Sequence, residues 1–237
     1  MTKSNMYEFI GKTINPLLGE CLNSCQYCYV NGLKQRFENL NNRYSGEIRL
    51  DEKVLKKPLK MDILYFVGSC NDIFAENVPD EYIVRILRWI GNAKVLLQTK
   101  NPAKMLRYIP LIKYGNPNAT MCITVETSDM DLLRKCTNAP TIRIPYIKEI
   151  AKEMPTQVTI EPIMNLGSFD DIKAFAEELS NLGLQQVNIG ANSSKTISLP
   201  EPSRDELLHF IIMLKIYKVK VHLKDNIKRI LKDENKT

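Results

Sequence analysis

Short runs of apolar and β-branched residues recur along the chain, and polar or turn-forming residues separate them. Six such runs cover residues 62–68, 94–98, 121–125, 157–160, 186–189 and 219–223. Continuous apolar runs of this length are typical of strands that are buried on both faces of a sheet. A seventh strand is expected at residues 12–17.

Helical patterns lie between the predicted strands. Residues 80–90 follow Pro79, carry apolar side chains at helical spacing and end before Gly91. Further helices are predicted after Asn101, after Ser168, after Ser203 and over residues 143–153. Ser168 and Ser203 are each followed three residues later by an acidic residue, which is typical of helix N-termini.

Strand and helix alternate at roughly 30 residues per unit, which is typical of right-handed βαβ crossovers. A closed eight-unit barrel typically needs about 250 residues. The 237-residue chain, with six or seven predicted strands, therefore favours a mostly parallel α/β fold: a partial, open, TIM-like (β/α)6 barrel. A doubly wound open sheet is the alternative. No linker divides the chain, so residues 1–237 are expected to form one domain that the segment 203–237 closes.

Polar residues cluster where the predicted strands end. They are residues 68–72, 98–100, Thr124, Glu126, Thr127, Glu161, Asn188, Asn192, Ser193 and Lys224. In both candidate folds, the carboxyl ends of the strands form the working face. Strand ends meet water in any protein, but six polar ends together indicate a functional site.

Hydrophobic residues make up 44% and charged residues 25% of the sequence, as in ordinary globular proteins. The longest apolar runs fall short of the ~18 residues that a membrane-spanning helix needs. The first residues lack the apolar core of a signal peptide. We therefore expect a cytoplasmic protein without a membrane partner.

The net charge of +6 is concentrated near the end of the sequence. Residues 215–237 hold eight basic and three acidic side chains, so the rest of the chain is nearly neutral. A basic segment of this kind is suited to phosphate contacts. The alternative is a solvated helix face without a ligand.

Three of the six cysteines form the pattern C-x3-C-x2-C at Cys21, Cys25 and Cys28. Thiolates at tight spacing select zinc, copper(I) or iron–sulfur clusters. A structural zinc site commonly has four protein ligands, and both histidines lie far along the chain. Three thiolates on a four-iron cluster would leave one iron free to bind a small molecule.

The segment from Cys21 to Cys28, with Tyr27 before the last cysteine, resembles the motif of the radical S-adenosylmethionine (radical SAM) superfamily. The resemblance implies a 4Fe-4S cluster on the three cysteines and S-adenosylmethionine on the open iron. It places Tyr27 near the adenine. It further assigns Gly68 and Ser69 to the cofactor's amine, Thr124 and Glu126 to its ribose, and the backbone from Ile189 to Asn192 to its adenine.

Most of the chain resembles a small phage- and prophage-associated subfamily of these enzymes. The similar blocks lie at residues 15–21, 66–74, 78–82 and 97–102. The cysteine segment is shorter than in that subfamily, and Cys70 stands where Met or another residue is expected. The frequent Gly-Gly-Glu at the second strand end is also absent.

The resemblance implies reductive cleavage of S-adenosylmethionine to a 5′-deoxyadenosyl radical, which takes a hydrogen atom from a substrate. An external one-electron donor, flavodoxin- or ferredoxin-like, is then required. The first substrate hypothesis is a nucleic-acid base or nucleotide, modified or repaired, with Lys100, Arg143 and Lys224 as phosphate contacts. The alternatives are an activase that installs a glycyl radical on a larger enzyme, and a zinc-binding interaction module.

Two residues at strand ends have competing interpretations. Cys70 is a candidate hydrogen donor to a substrate radical, although small buried cysteines commonly fill protein cores. Glu161, followed by Pro162, is a candidate for binding cofactor or substrate, and its alternative is a solvated carboxylate at the rim. Cys122 and Cys136 are expected to be structural.

Overall fold

The computed structural model describes residues 7–194 and 197–232. Its main element is a parallel sheet whose strands are β1 (Lys12–Ile14), β4 (Tyr65–Val67), β5 (Val95–Thr99), β6 (Ala119–Thr124), β7 (Thr156–Ile160), β8 (Gln186–Ile189) and β9 (Val221–Leu223). A separate antiparallel pair joins β2 (Leu17–Leu18) to β3 (Arg49–Leu50).

Helices connect the strands. They are α1 (Tyr29–Arg36), α2 (Glu38–Arg43), α3 (Glu52–Leu55), α4 (Asp80–Ile90), α5 (Pro102–Gly115), α6 (Met130–Cys136), α7 (Ile144–Glu153), α8 (Phe169–Ser180), α9 (Arg204–Ile216) and α10 (Lys228–Leu231). A 3₁₀ turn at Asp225–Ile227 precedes α10.

The seven parallel strands lie side by side in the order β1, β4, β5, β6, β7, β8, β9. Every strand of this sheet runs in the same direction, so all seven carboxyl ends meet at one edge. Within the described residues no pairing joins β1 to β9, so the barrel is open. The predicted partial TIM-like fold is confirmed, with seven strands.

The sheet buries apolar side chains on both faces, as the sequence pattern predicts. Successive strand side chains point to opposite faces. Val67 and Leu97 belong to the large core between the sheet and the helices. Their neighbours Phe66 and Leu96 belong to a smaller cluster inside the barrel, together with Tyr7.

The predicted helices after Asn101, Ser168 and Ser203 begin where the sequence places them. The predicted helix at residues 143–153 begins one residue later, with Arg143 at the N-cap position. The strand expected at residues 12–17 is interrupted after Ile14, and Leu17 pairs with Leu50 instead. Helices α1, α2, α3 and α6 were not predicted, since they are short and lie outside the strand–helix rhythm.

The C-terminal segment forms helix α9, strand β9 and the short helix α10, and residues 233–237 of the predicted segment lie outside the described residues. Strand β9 separates the basic side chains of this segment into two groups, which lie at opposite edges of the sheet. Lys215, Lys218 and Lys220 precede the strand, whereas Lys224, Lys228, Arg229 and Lys232 follow it, at the carboxyl-end edge. Among the described residues, no helix has the length and apolar character needed to cross a bilayer.

Candidate active site

One cavity of about 1050 Å³ opens at the carboxyl ends of the strands. One of its walls is the cysteine loop, which we define as residues 20–28. The predicted site residues that line the cavity are Cys21, Cys25, Tyr27, Cys28, Gly68, Ser69, Cys70, Lys100, Thr124, Glu161, Asn192 and Lys224. Glu126, Arg143 and Ile189 are buried outside this lining.

Asp72 ties the cysteine loop to the end of β5. Its Oδ2 accepts hydrogen bonds from Asn23 Nδ2 at 2.9 Å, from Thr99 Oγ1 at 3.0 Å and from the Lys100 amide at 2.8 Å. Its other oxygen accepts from the Phe74 amide at 3.0 Å. This carboxylate therefore holds three segments of chain together at the cavity wall.

The segment after α6 holds the other side of the cysteine loop. The Gln26 amide donates to the Cys136 carbonyl at 3.0 Å, and the Asn138 amide donates to the Asn23 carbonyl at 2.8 Å. Cys25 Sγ lies 3.3 Å from Thr137 Oγ1. The loop is thus fixed by polar contacts on both sides, although it has no regular secondary structure of its own.

The three thiols of the loop are partly or fully buried and lie close enough to interact electrostatically. Burial and, to a smaller extent, the nearby Asp72 carboxylate together raise the pKa of Cys21 from 9.0 to about 12. Burial likewise raises the pKa of Cys28, with a smaller contribution from Cys25. A metal centre would oppose this effect, because positive charge stabilises the thiolate.

The thiols of the cysteine loop are compatible with a multi-iron cluster. Within the described residues, no three His, Cys, Asp or Glu side chains converge on a site for one metal ion. Thiolates that hold a multi-iron cluster bind different iron atoms, so they need not meet at one point. Cys21, Cys25 and Cys28 are free thiols on one loop and face one cavity, which is compatible with such a cluster.

Glu126 lies two residues beyond β6 and its carboxylate is fully buried. It accepts hydrogen bonds from the Tyr27 hydroxyl, from Lys100 Nζ at 2.8 Å and from Arg143 Nη1 at 2.6 Å. Burial alone would raise the pKa of this carboxyl, but the charges of Arg143 and Lys100 outweigh burial and lower the pKa from 4.5 to about 2. Glu126 is therefore ionised at neutral pH, with both oxygens engaged by the protein.

Arg143 lies behind the cavity wall, with its side chain 1% exposed. Besides Glu126, it donates to the Thr124 carbonyl at 2.6 Å and to the Pro140 carbonyl at 2.6 Å. It thereby fixes the end of β6. A contact between Arg143 and a substrate phosphate stays a prediction.

The turn after β4 carries Gly68, Ser69 and Cys70. Gly68 has φ +82°, and a Cβ atom there would lie 2.8 Å from the Asn71 carbonyl oxygen, so glycine is required. Asn15 Oδ1 accepts from Ser69 Oγ at 3.1 Å and from the Cys70 amide at 2.9 Å. The turn is therefore fixed against the chain that follows β1.

Cys70 lines the cavity among hydroxyl groups. Its Sγ lies 3.8 Å from Tyr29 Oη and 3.8 Å from Ser69 Oγ. The Tyr29 hydroxyl also donates to the Ser69 carbonyl at 3.0 Å. The role of Cys70 as a hydrogen donor stays a prediction.

On the opposite wall, Glu161 and Lys224 form an ion pair, with Lys224 Nζ 2.5 Å from Glu161 Oε2. Lys224 Nζ also lies 4.6 Å from the centre of the Tyr7 ring. Asn226 Oδ1 accepts a hydrogen bond from the Ala191 amide at 3.2 Å, and Asn226 Nδ2 donates one to the Ala191 carbonyl at 2.7 Å. These contacts join the ends of β7, β8 and β9.

The remaining predicted cofactor contacts lie near the ends of β6 and β8. Thr124 Oγ1 accepts from Gln98 Nε2 at 3.2 Å, and Gln98 Oε1 accepts from the Tyr7 hydroxyl at 2.8 Å. Ile189 is fully buried, whereas Asn192 faces the cavity and its amide donates to Glu201 Oε1 at 2.8 Å. Whether these residues bind S-adenosylmethionine stays a prediction.

Three connecting residues of the site were not identified from the sequence as site residues: Asn15, Asp72 and Asn226. Asp72 belongs to one of the polar strand ends that the sequence predicts, but its contact with the cysteine loop was not predicted. Asn15 and Asn226 follow β1 and β9 closely and act through contacts with residues far along the chain. No local pattern marks such contacts.

Comparisons with known proteins bear on the family and the fold. The sequence model of a family described as "Protein of unknown function (DUF5131)" matches residues 4–169, which is more than half of the chain. No curated protein matches the sequence.

Solved structures of radical SAM enzymes share the fold. Spore photoproduct lyase complexed with dinucleoside spore photoproduct has a TM-score of 0.60 and 11% identity, over 94% of this chain and 78% of that chain. SuiB from Streptococcus suis has a TM-score of 0.57 and 11% identity, over 91% of this chain. This chain spans 49% of the length of SuiB. At these identities the likeness concerns the fold, and the resemblance to the phage-associated subfamily stays a prediction.

Proposed function

The chain belongs to the family described as Protein of unknown function (DUF5131), and we propose that it is a radical SAM enzyme acting on a nucleic-acid base or nucleotide. The observation that carries the proposal is the position of the cysteine loop. Cys21, Cys25 and Cys28 all face one cavity at the carboxyl ends of a parallel sheet. This edge is where α/β folds place their active sites.

In this proposal Cys21, Cys25 and Cys28 hold a 4Fe-4S cluster, and S-adenosylmethionine binds beside it in the cavity. When bound, the two cofactors supply a 5′-deoxyadenosyl radical that removes a hydrogen atom from the substrate. Tyr27, Gly68, Ser69, Thr124 and Asn192 surround the space beside the cysteines and orient the cofactor. An external one-electron donor, flavodoxin- or ferredoxin-like, completes the system.

In the proposal, Glu126 positions the ring of Tyr27. Its carboxylate fixes the Tyr27 ring through the tyrosine hydroxyl, and Lys100 and Arg143 fix the carboxylate. The ring therefore presents a defined surface to a bound adenine. Such preorganisation lowers the cost of binding the cofactor in a reactive geometry.

Two observations support a nucleobase as the group that enters the cavity. Spore photoproduct lyase, which shares the fold, has been solved with a dinucleoside spore photoproduct. Within the described part of the chain, the charged lining of the cavity comprises five carboxylates and three lysines, namely Glu8, Glu20, Asp72, Glu161, Asp225, Lys34, Lys100 and Lys224. Lys100 and Lys224 are paired with Glu126 and Glu161, so the interior suits an uncharged base better than a phosphate.

Cys70 completes the proposed chemistry as a hydrogen donor. Transfer of the hydrogen atom of its S–H group to a carbon radical on the substrate would form a C–H bond and leave a thiyl radical. The external one-electron donor and a proton would then restore the thiol. The position of Cys70 on the cavity wall, beside Ser69 and Tyr29, supports this role.

The test is anaerobic reconstitution with iron and sulfide, followed by incubation with S-adenosylmethionine and dithionite. We expect a brown protein with about four irons per chain that releases 5′-deoxyadenosine. Cys25→Ala should lose both the iron and the product. Cys122→Ala is the matched control, because Cys122 is a buried thiol within β6 and does not line the cavity.

A colourless protein, or an iron-loaded protein that leaves S-adenosylmethionine intact, would disprove the proposal. The substrate class is tested by transfer of deuterium from labelled nucleosides and oligonucleotides into 5′-deoxyadenosine. Cys70→Ala separates the steps, since it should retain release of 5′-deoxyadenosine and lose the substrate product. Loss of both would instead place Cys70 in cofactor binding.

A further inference from the structure

A second cavity lies directly beside the first, on the side of the C-terminal segment. Its volume is about 950 Å³. Among the described residues, the two cavities share the lining residues Asn192, Ser193, Asp225 and Asn226, so they adjoin. We call the second one the outer groove.

The outer groove differs from the main cavity in charge. Among the described residues, its charged lining consists of Lys228, Arg229, Lys232, Glu201 and Asp225, so cations outnumber carboxylates there. In the main cavity the carboxylates outnumber the cations. The charge of the lining therefore changes from acidic in the main cavity to basic in the outer groove.

The basic side chains of the groove reach solvent, and the ion pair of Lys228 is exposed at both ends. Lys228 Nζ lies 2.7 Å from Asp225 Oδ1, and the two side chains are 69% and 71% exposed. Arg229 pairs with Glu201 and donates to the Asn192 carbonyl at 3.0 Å. Exposed ion pairs contribute little and are screened by salt. An incoming phosphate can therefore compete with Asp225 for Lys228, and it can also approach the exposed half of the Arg229 side chain.

We propose that the outer groove binds the phosphodiester backbone of a single-stranded nucleic acid while one of its bases enters the main cavity. The inference rests on the proposed function and deepens it, because it identifies the substrate as a strand and not a free nucleoside. Basic side chains that contact phosphates position a strand, and the pocket beyond them reads the base.

The arrangement suits a base that is already turned out of a helix. A base inside a duplex cannot reach an enclosed pocket without leaving the stack. The main cavity admits the base between Tyr7, Lys100 and Lys224. The charges of the two lysines are neutralised by ion pairs with Glu126 and Glu161. The phosphates on either side stay at the rim, where Lys228, Arg229 and Lys232 lie.

The division of the basic segment by β9 provides a matched control. Lys228 and Lys232 follow the strand and line the groove, whereas Lys215 and Lys220 precede it and lie at the opposite edge of the sheet. All four are exposed. The double variants Lys228→Gln/Lys232→Gln and Lys215→Gln/Lys220→Gln therefore carry the same net charge and differ in position.

The experiment measures binding of fluorescent oligothymidylate and oligouridylate to the reconstituted protein between 50 and 200 mM salt. For Lys228→Gln/Lys232→Gln we expect about tenfold weaker binding at the lower salt concentration. The slope of log affinity against log salt should become shallower by about 1.4, since each phosphate contact to a single strand contributes about 0.7. Lys215→Gln/Lys220→Gln should match the wild-type protein. Unchanged thermal unfolding of both variants excludes a folding defect.

Equal weakening by both variants would overturn the inference, because it would mean that overall charge and not the groove binds the strand. Absence of binding by the wild-type protein, or equal displacement by polyglutamate, would overturn it as well. The two oligonucleotides distinguish DNA from RNA. Release of 5′-deoxyadenosine without a strand is measured in parallel: if it occurs while groove-dependent binding fails, the inference alone falls, and if it is absent, the proposed function falls.

Discussion

The Tyr27 hydroxyl donates a hydrogen bond to the carboxylate of Glu126, which joins the cysteine loop to the end of β6. The two residues are 99 positions apart in the sequence. Lys100 donates to the same carboxylate oxygen as Tyr27, and Arg143 donates to the other one. Glu126 is completely buried and does not line the cavity, so a ribose hydroxyl would reach it only after the surrounding side chains move.

Glu126→Gln is expected to destabilise the protein strongly. The substitution removes the charge that compensates Arg143, whose side chain is almost completely buried. Breaking a buried ion pair by removing one partner typically costs about 3–5 kcal/mol. Urea unfolding of the cluster-free protein, followed by circular dichroism, measures the difference.

The control for this variant is the exposed ion pair between Asp80 and Arg107. Asp80→Asn should change the free energy of unfolding by less than about 1 kcal/mol, because both partners are solvated. Equal effects of the two substitutions would show that burial of Glu126 is not what makes its pair important.

The stability conferred by Glu126 should depend on pH in the acidic range. The pKa of Glu126 is lowered to about 2 in the folded protein, so its contribution is present above the ordinary value of 4.5 and is lost as the pH falls towards 2. The difference in unfolding free energy between the wild-type protein and Glu126→Gln should therefore shrink between pH 5 and pH 2. A difference that stays constant over this range would contradict the assignment.

Asp72→Ala is expected to loosen the cysteine loop. The substitution removes the acceptor of Asn23, Thr99 and the Lys100 amide together. Amide hydrogen exchange in the cluster-free protein should become faster in residues 20–28, and iron uptake on reconstitution should fall. Asp72→Asn keeps one carbonyl acceptor and should show a smaller effect. Protection equal to that of the wild-type protein in both variants would show that the loop is held without Asp72.

Gly68→Ala should destabilise the turn after β4. Its φ of +82° is unfavourable for alanine, and the new Cβ would lie 2.8 Å from the Asn71 carbonyl oxygen. Strain of this kind costs about 1–3 kcal/mol. Gly115→Ala at the end of α5 is the control, since nothing lies within 4 Å of the added Cβ there. In thermal unfolding, Gly68→Ala should have a lower midpoint temperature than the wild-type protein, and Gly115→Ala should not.

The fold was largely predictable from the sequence because its strands are apolar on both faces. Residues 95–97 and 158–160 are buried as their apolar pattern predicts, and the capped helices between them complete the βαβ pattern. The short elements were not predictable. Helix α6 has seven residues, too few to show a helical apolar pattern, although Asp129 caps its N-terminus.

The site was predictable where the chemistry is local and unpredictable where it depends on distant contacts. The spacing of Cys21, Cys25 and Cys28 singles out the loop by itself. The pairing of Arg143 with Glu126 and of Lys224 with Glu161 depends on which strands become neighbours. Lysine and arginine residues that look available for phosphate in the sequence therefore have internal partners in the fold.

The contacts of the cysteine loop also set an order of events during synthesis. The Gln26 side chain donates to the carbonyl of Lys135, which is translated 109 residues later. The thiols thus leave the ribosome long before the chain that supports them exists. Metal delivered to the nascent polypeptide would meet unrestrained cysteines, so insertion of the proposed cluster is expected to follow translation of α6.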